Sequence, residues 1–121
     1  MGAEIVATAR RDSFVQLNGF ADTELVKLML RLGDWALFGR VLVYNHDGDN
    51  QFVNAKILHH QNVPLDAVTV WATQSWRGCI ALQATLPVKD VEPVTLECNT
   101  YKGIAEFASL FALRVDGIDP Q

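Results

Sequence analysis

The sequence predicts an all-β domain, a sandwich or barrel of antiparallel strands, on three observations. Hydrophobic residues recur with a period of two rather than 3.6 along most of the chain. Short runs rich in Val, Ile, Leu, Phe and Trp are separated by turn clusters every 8–14 residues. No segment of ten or more residues carries a helical stripe with caps at its ends.

Strands are expected near residues 3–10, 13–18, 24–32, 35–45, 51–59, 65–73, 77–87, 93–101 and 106–116. The punctuation comes from Asn18-Gly19, Gly33-Asp34, Asp47-Gly48-Asp49-Asn50, Asn62-Val63-Pro64, Pro87 with Pro93, and Gly103. Residues 22–32 come nearest to a helix, with Asp22 as an N-cap, but Val26, Leu28, Leu30 and Leu32 alternate with Lys27, Met29 and Arg31, which is the pattern of a strand. Val53, Ala55 and Ile57 likewise oppose Asn54 and Lys56, and Val94, Leu96 and Cys98 oppose Thr95 and Glu97. Such strands have one buried and one wet face.

Three other segments are apolar on both faces. Trp35, Leu37, Val41 and Val43 oppose Ala36, Phe38, Leu42 and Tyr44, with Arg40 the one charge on that side. Phe107, Phe111 and Leu113 oppose Ala108, Leu110 and Ala112. Ile80, Leu82, Ala84 and Leu86 oppose a semi-polar set of Cys79, Ala81, Gln83 and Thr85. A two-sheet sandwich leaves one face of each sheet outside. If these strands share a sheet, its outer face needs a cover, and with no spare helix the natural cover is another copy of the chain. On this parity Phe38, Arg40, Leu42, Phe107 and Phe111 are the candidate self-association residues.

Composition sets the outer limits. The 121 residues allow one domain over 1–121. A hydrophobic content of 50%, reached without counting glycine, excludes disorder. Ten basic residues against fourteen acidic ones give a net charge of −4, which argues against nucleic acid as a partner. Arg10-Arg11, the only adjacent basic pair, reads as a solvated strand end. Residues 1–20 lack the apolar core of a secretory signal, and no apolar run approaches the ~20 residues of a membrane span, so the chain is expected to be soluble.

Several segments are similar to a known superfamily. Gly33-Asp34-Trp35-Ala36-Leu37-Phe38-Gly39-Arg40-Val41-Leu42-Val43 resembles the third main strand of tumour-necrosis-factor and C1q-type domains. Trp76-Arg77-Gly78-Cys79-Ile80-Ala81-Leu82-Gln83 resembles the strand that opens with an aromatic and a glycine. It leads through Val88-Lys89-Asp90 into Val94-Thr95-Leu96-Glu97-Cys98. Phe107-Ala108-Ser109-Leu110-Phe111-Ala112-Leu113 resembles the closing strand, and also that of bacterial tumour-necrosis-factor-like lectin domains. The likeness spans about residues 24–115. It departs from the family in the turn flanked by Pro87 and Pro93, where Lys-Gly-Asp is usual. The resemblance implies a jelly roll of two antiparallel sheets, a homotrimer packed through its inner sheet, and Phe38, Trp76 and Phe107 near the threefold axis.

Candidate chemistry is sparse. Trp71 and Trp76 flank Thr73-Gln74-Ser75, with Arg77 following, a set suited to stacking on a sugar ring or anchoring a protein partner. His59 and His60 are adjacent and point to opposite faces of a strand, and His46 sits in a turn, so no metal site is expected. Asn45 to Asn50 resembles an oxygen-rich calcium loop, but Asn50 and Lys56 stand where an EF-hand needs Gly and Glu, which leaves a tight hairpin turn or a calcium site of another kind on Asp47 and Asp49. Cys79 and Cys98 fall on consecutive strands with opposite parity, which disfavours a disulfide within a hairpin. Ser13, Ser75 and Ser109 lie in no nucleophile elbow, and Asp47/Asp49 and Asp116/Asp119 read as turn or terminal carboxylates. The expectation is therefore a non-enzymatic, cofactor-free homotrimer that recognises a glycan or protein. The alternatives are a structural subunit of a capsid, coat or tail assembly, and a cupin-like metalloenzyme.

Overall fold

The computed structural model describes residues 5–59 and 63–115. Among them are nine strands: β1 (Val6–Arg11), β2 (Val15–Asn18), β3 (Thr23–Leu30), β4 (Gly33–Tyr44), β5 (Gln51–His59), β6 (Val63–Ala72), β7 (Arg77–Val88), β8 (Glu92–Thr100) and β9 (Lys102–Val115). Each corresponds to an expected strand. The start of the first, the end of the last, Asn62, His60, Asp116 and Asp119 lie outside the described residues.

All pairings are antiparallel and form two sheets. Sheet A has the order β1-β9-β4-β7, with β2 also on β9, and sheet B the order β3-β8-β5-β6. β1 and β2 pair with successive parts of β9, Arg11 opposite Ala108 and Val15 opposite Ala105, so they are one interrupted edge strand. The three double-sided segments, β4, β7 and β9, are neighbours in sheet A, which meets the condition that alternation along single strands left open.

Between the sheets lies one core. Leu37, Val41 and Val43 of β4, Leu110 and Ala112 of β9, and Ile80, Leu82 and Leu86 of β7 meet Val53, Ala55 and Ile57 of β5 and Val94, Leu96 and Cys98 of β8. Trp35 is also buried, and its indole N–H donates to the Arg31 carbonyl at 2.9 Å, which satisfies its one polar atom.

The differences in detail have local causes. Leu32 was expected on the apolar face of its strand, yet β3 ends at Leu30 and Leu32 is exposed, because the chain turns there into Gly33. Gly33 has φ +147°, a conformation that only glycine adopts readily. Pro87 does not end its strand: among the described residues β7 pairs only with β4, and the open side of an edge strand needs no backbone donor there. Gly103 lies inside β9, buried, where a side chain would meet Thr100 and the Tyr44 carbonyl. Cys79 and Cys98 are free and do not share a hairpin, since β7 and β8 belong to different sheets. Burial pushes the Cys98 thiol up to about 12.

Candidate functional site

The outer face of sheet A is laid out in rows across its strands. Val6, Leu113, Ala36 and Thr85 form one row, and Thr8, Phe111, Phe38 and Gln83 the next. Arg10, Ser109, Arg40 and Ala81 follow, then Phe107, Leu42 and Cys79. Phe38 and Phe111 lie directly opposite each other with ring centroids 6.2 Å apart, and both are exposed, at 45% and 38%. Arg10 and Arg40 stack on the Phe107 ring at 5.3 and 5.4 Å. A register shift between Leu42 and Val43 leaves Glu106 as an extra residue on β9. Its carboxylate takes a forked pair of bonds from Arg77, at 2.8 and 3.3 Å, while the guanidinium lies 4.4 Å from the Tyr44 ring centroid. The hydrogen bond to Glu106, then its charge, holds the Arg77 guanidinium above its ordinary pKa.

Five of the six residues expected at a trimer interface, Phe38, Arg40, Leu42, Phe107 and Phe111, therefore share one face. Trp76 does not. It packs against the core, and its indole occupies the space where a side chain on Gly78 would sit. Gly78 precedes inward-facing Ile80 by two, so the ring folds inward over the end of β7.

The candidate ligand residues are also divided. Arg77 belongs to the outer face of sheet A, Trp76 is packed inward, and Trp71 stands on β6, exposed, on the outer face of sheet B. Trp71 instead meets Phe52 of β5, edge to face at 4.7 Å. These two rings, Phe20 and Tyr101 line a shallow recess of about 330 Å³ together with Asp47, Asp49, Asn50 and Gln51. The four rings are about half exposed.

The recess is built at the end of the sandwich where four connections meet: 19–22, 45–50, 73–76 and Tyr101. Buried Asn45, Gln51 and Thr100 tie them together. The Asn45 amide donates to the carbonyls of Thr73 at 2.9 Å and of Ala72 and Asp49 at 3.2 Å. Its oxygen accepts from the Gln51 amide and from the Asp47 N–H. Gln51 also donates to the Lys102 carbonyl, and its oxygen accepts from the Lys102 N–H, each at 2.8 Å. The Thr100 hydroxyl lies 2.8 Å from that same oxygen and 2.7 Å from the Phe52 carbonyl.

Phe20 is held by backbone bonds from its own N–H to Thr100 and from the Gly19 N–H to Tyr101. With φ of +63° and +58°, Gly19 and Phe20 are both left-handed. For a phenylalanine this costs about 1 kcal/mol or more.

The recess was not among the sequence expectations beyond Trp71. Its signal was present: Phe52 stands at the parity of Asn54 and Lys56, and Gln51 and Thr100 stand at inward parity with Val53 and Cys98. Of the histidines, His46 is 3.0 Å from the Gln16 amide, and His59, at the other end of β5, has Nδ1 3.9 Å from Glu92. Among the described residues no three His, Cys, Asp or Glu side chains group to hold a metal, and no helix is long and apolar enough to cross a membrane.

Two four-stranded sheets of this order, with the first strand interrupted and four connections gathered at one end, define a jelly-roll sandwich. Comparison with solved structures finds the same architecture in viral capsid proteins. A structure of infectious bursal disease virus, Gx strain, matches with a TM-score of 0.62 at 8% identity over 95% of this chain and 35% of that one. The VP2 subviral particle of the same virus matches with a TM-score of 0.58 at 10% identity, over 90% and 32%. The T=1 particle of a mutant VP2 matches with a TM-score of 0.56 at 10% identity, over 90% and 31%. The chain thus spans about a third of the length of these proteins. No protein-family model and no curated protein sequence matches it.

Proposed function

We propose that the chain is a non-catalytic structural subunit that assembles with copies of itself, through the outer face of sheet A, into a coat, capsid or tail-type particle. The observation that carries this reading is the apolar centre of that face, where Leu113 and Ala36, then Phe111 and Phe38, and then Phe107 and Leu42 pair across β9 and β4, with Phe38 and Phe111 exposed. Burial of such a face releases water at roughly 25 cal/mol per Å², and a second copy offers the same face in return. The likeness to capsid proteins supports a building-block role. The resemblance to tumour-necrosis-factor and C1q-type domains supports a threefold arrangement as the first step of assembly.

Light scattering on purified protein at micromolar concentration tests this, with a trimer or larger particle expected. Phe38→Glu should give a folded monomer. A strict monomer of the unsubstituted protein overturns the reading, and an unchanged oligomer in the variant moves Phe38 out of the contact. The second reading is a trimeric module that binds a glycan or protein, and the end recess beside Trp71 favours it. Electron microscopy separates the two: extended or closed particles support a structural subunit, and discrete trimers support the binding module.

A further inference from the structure

The end recess combines four half-exposed rings with two carboxylates, and among the described residues no Lys, Arg or His lines it. Among the described residues neither Asp47 nor Asp49 has a cationic group within 4 Å. Asp47 spends one oxygen on the Gly48 N–H at 2.9 Å. The π faces and the carboxylates are thus all electron-rich, and nothing of opposite sign accompanies them.

Elsewhere the same chain supplies the missing component from within. Arg10 and Arg40 stack on Phe107, Arg114 stacks on Trp35, and Arg77 stacks on Tyr44. The last case is complete: the guanidinium lies over the ring and forks onto Glu106. At the recess the rings and carboxylates of that arrangement are present without the guanidinium.

We propose that the recess receives an arginine side chain from a protein partner. A guanidinium is planar and can stack on a ring while its N–H groups fork onto a carboxylate, as Arg77 does between Tyr44 and Glu106, which an ammonium point charge does less well. An anionic ligand is repelled by both carboxylates. A neutral sugar would stack on the rings and donate hydroxyls to the carboxylates but would gain no charge attraction from them, so it is the competing ligand that the titration includes. The Asn45–Gln51–Thr100 bonds beneath hold the connections before any ligand arrives, so little ordering is needed on binding. Phe20 keeps its ring at the rim in a backbone conformation that glycine would adopt at no cost.

The experiment is a titration of the full chain, followed by amide NMR shifts and tryptophan fluorescence, with N-acetyl-arginine amide, its lysine and citrulline counterparts, and a panel of methyl glycosides. Shifts at residues 20, 47–52, 71 and 101 are expected with the arginine compound. They should be roughly tenfold weaker with lysine, absent with citrulline, and reduced by salt. Asp47→Asn with Asp49→Asn should weaken binding roughly tenfold. Phe20→Gly should weaken it too while melting at the same or a higher temperature, which separates a lost contact from a lost fold. Equal binding of citrulline and arginine overturns the proposal, as do shifts at these residues from a glycoside alone or no shifts at all. The Phe38→Glu monomer should retain arginine binding, so failure here and failure of self-association are read separately.

Discussion

Sheet A and sheet B each turn one side to a shared core, and their opposite sides have little in common. Outside sheet B, Asn54 donates to Asn99 at 2.8 Å, Thr69 donates to Asn54 at 2.6 Å, and Asp22 accepts from Asn99 at 2.7 Å and from Lys56 at 3.0 Å. Those polar groups satisfy one another or water. Outside sheet A, Val6, Ala36, Phe38, Leu42, Phe111 and Leu113 stand in neighbouring rows, interrupted by Arg10, Ser109 and Arg40, whereas the exposed Met29, Phe52 and Trp71 of sheet B lie near strand ends. Both sheets are sound halves of a sandwich, so the difference is not demanded by folding. In the proposed assembly it marks the face that meets a second copy.

The largest expected contrast is in thiol reactivity. Iodoacetamide at pH 8 should label exposed Cys79 on sheet A and leave Cys98 untouched, because a thiol pushed up to about 12 and buried offers almost no thiolate. Peptide mapping after labelling reads this out. Protection of Cys79 in the assembled protein, and its release in Phe38→Glu, would identify the covered face; equal labelling in both would break the comparison.

Next in size is a pair of neighbours on β4. Leu37→Ala, at a fully buried site, should cost about 2–5 kcal/mol in urea unfolding. Phe38→Ala should cost under about 1 kcal/mol at concentrations where the protein is monomeric, and should weaken association. Equal losses would make Phe38 a packing residue of the single chain.

On sheet B, Asn99→Ala removes bonds to both Asn54 and Asp22 and should cost about 1–2 kcal/mol with no change in oligomeric state. A shift in sedimentation would show that sheet B also contributes to association.

The smallest effect is on acid stability. Hydrogen bonds from Lys56 and then Asn99 hold Asp22 below its ordinary pKa. Its contribution is therefore present above the unfolded value and fades as pH falls through the lower folded value. Burial, with Asp22 nearby, raises Glu97, so protonating Glu97 favours the folded state and its charge opposes folding near neutral pH. Asp22→Asn should flatten the acid limb of the stability curve, and Glu97→Gln should raise stability slightly at pH 7. Each is expected to change stability by under about 1 kcal/mol because these groups are in contact with solvent. An acid limb left unchanged in Asp22→Asn would dismiss the Lys56–Asp22 pair as a stabilising contact.

Much of this was legible before folding was considered. The alternation of Leu37 with Phe38 and of Leu110 with Phe111 assigned two chemically distinct sides to β4 and β9. The candidate ligand group was less legible. Residues 71–77 look like one cluster, but the chain passes there from sheet B to sheet A, and Trp71 and Arg77 end on opposite outer faces. Trp76 was drawn inward by the space above Gly78, which no pattern of hydrophobicity reveals. The recess gathers positions 20, 47, 52, 71 and 101, too far apart in sequence to suggest one another.

By itself the sequence determined the all-β class, the succession of strands and the inward or outward sense of most residues. Those follow from local geometry: an extended backbone sends successive side chains to opposite sides wherever it lies. Only the tertiary structure decided that β4, β7 and β9 stand side by side and add their apolar faces together. It alone brought four distant aromatic residues to one end of the sandwich beside two carboxylates. Strand order and the meeting of connections depend on contacts between remote parts of the chain, and alternation along a strand carries no information about its neighbours.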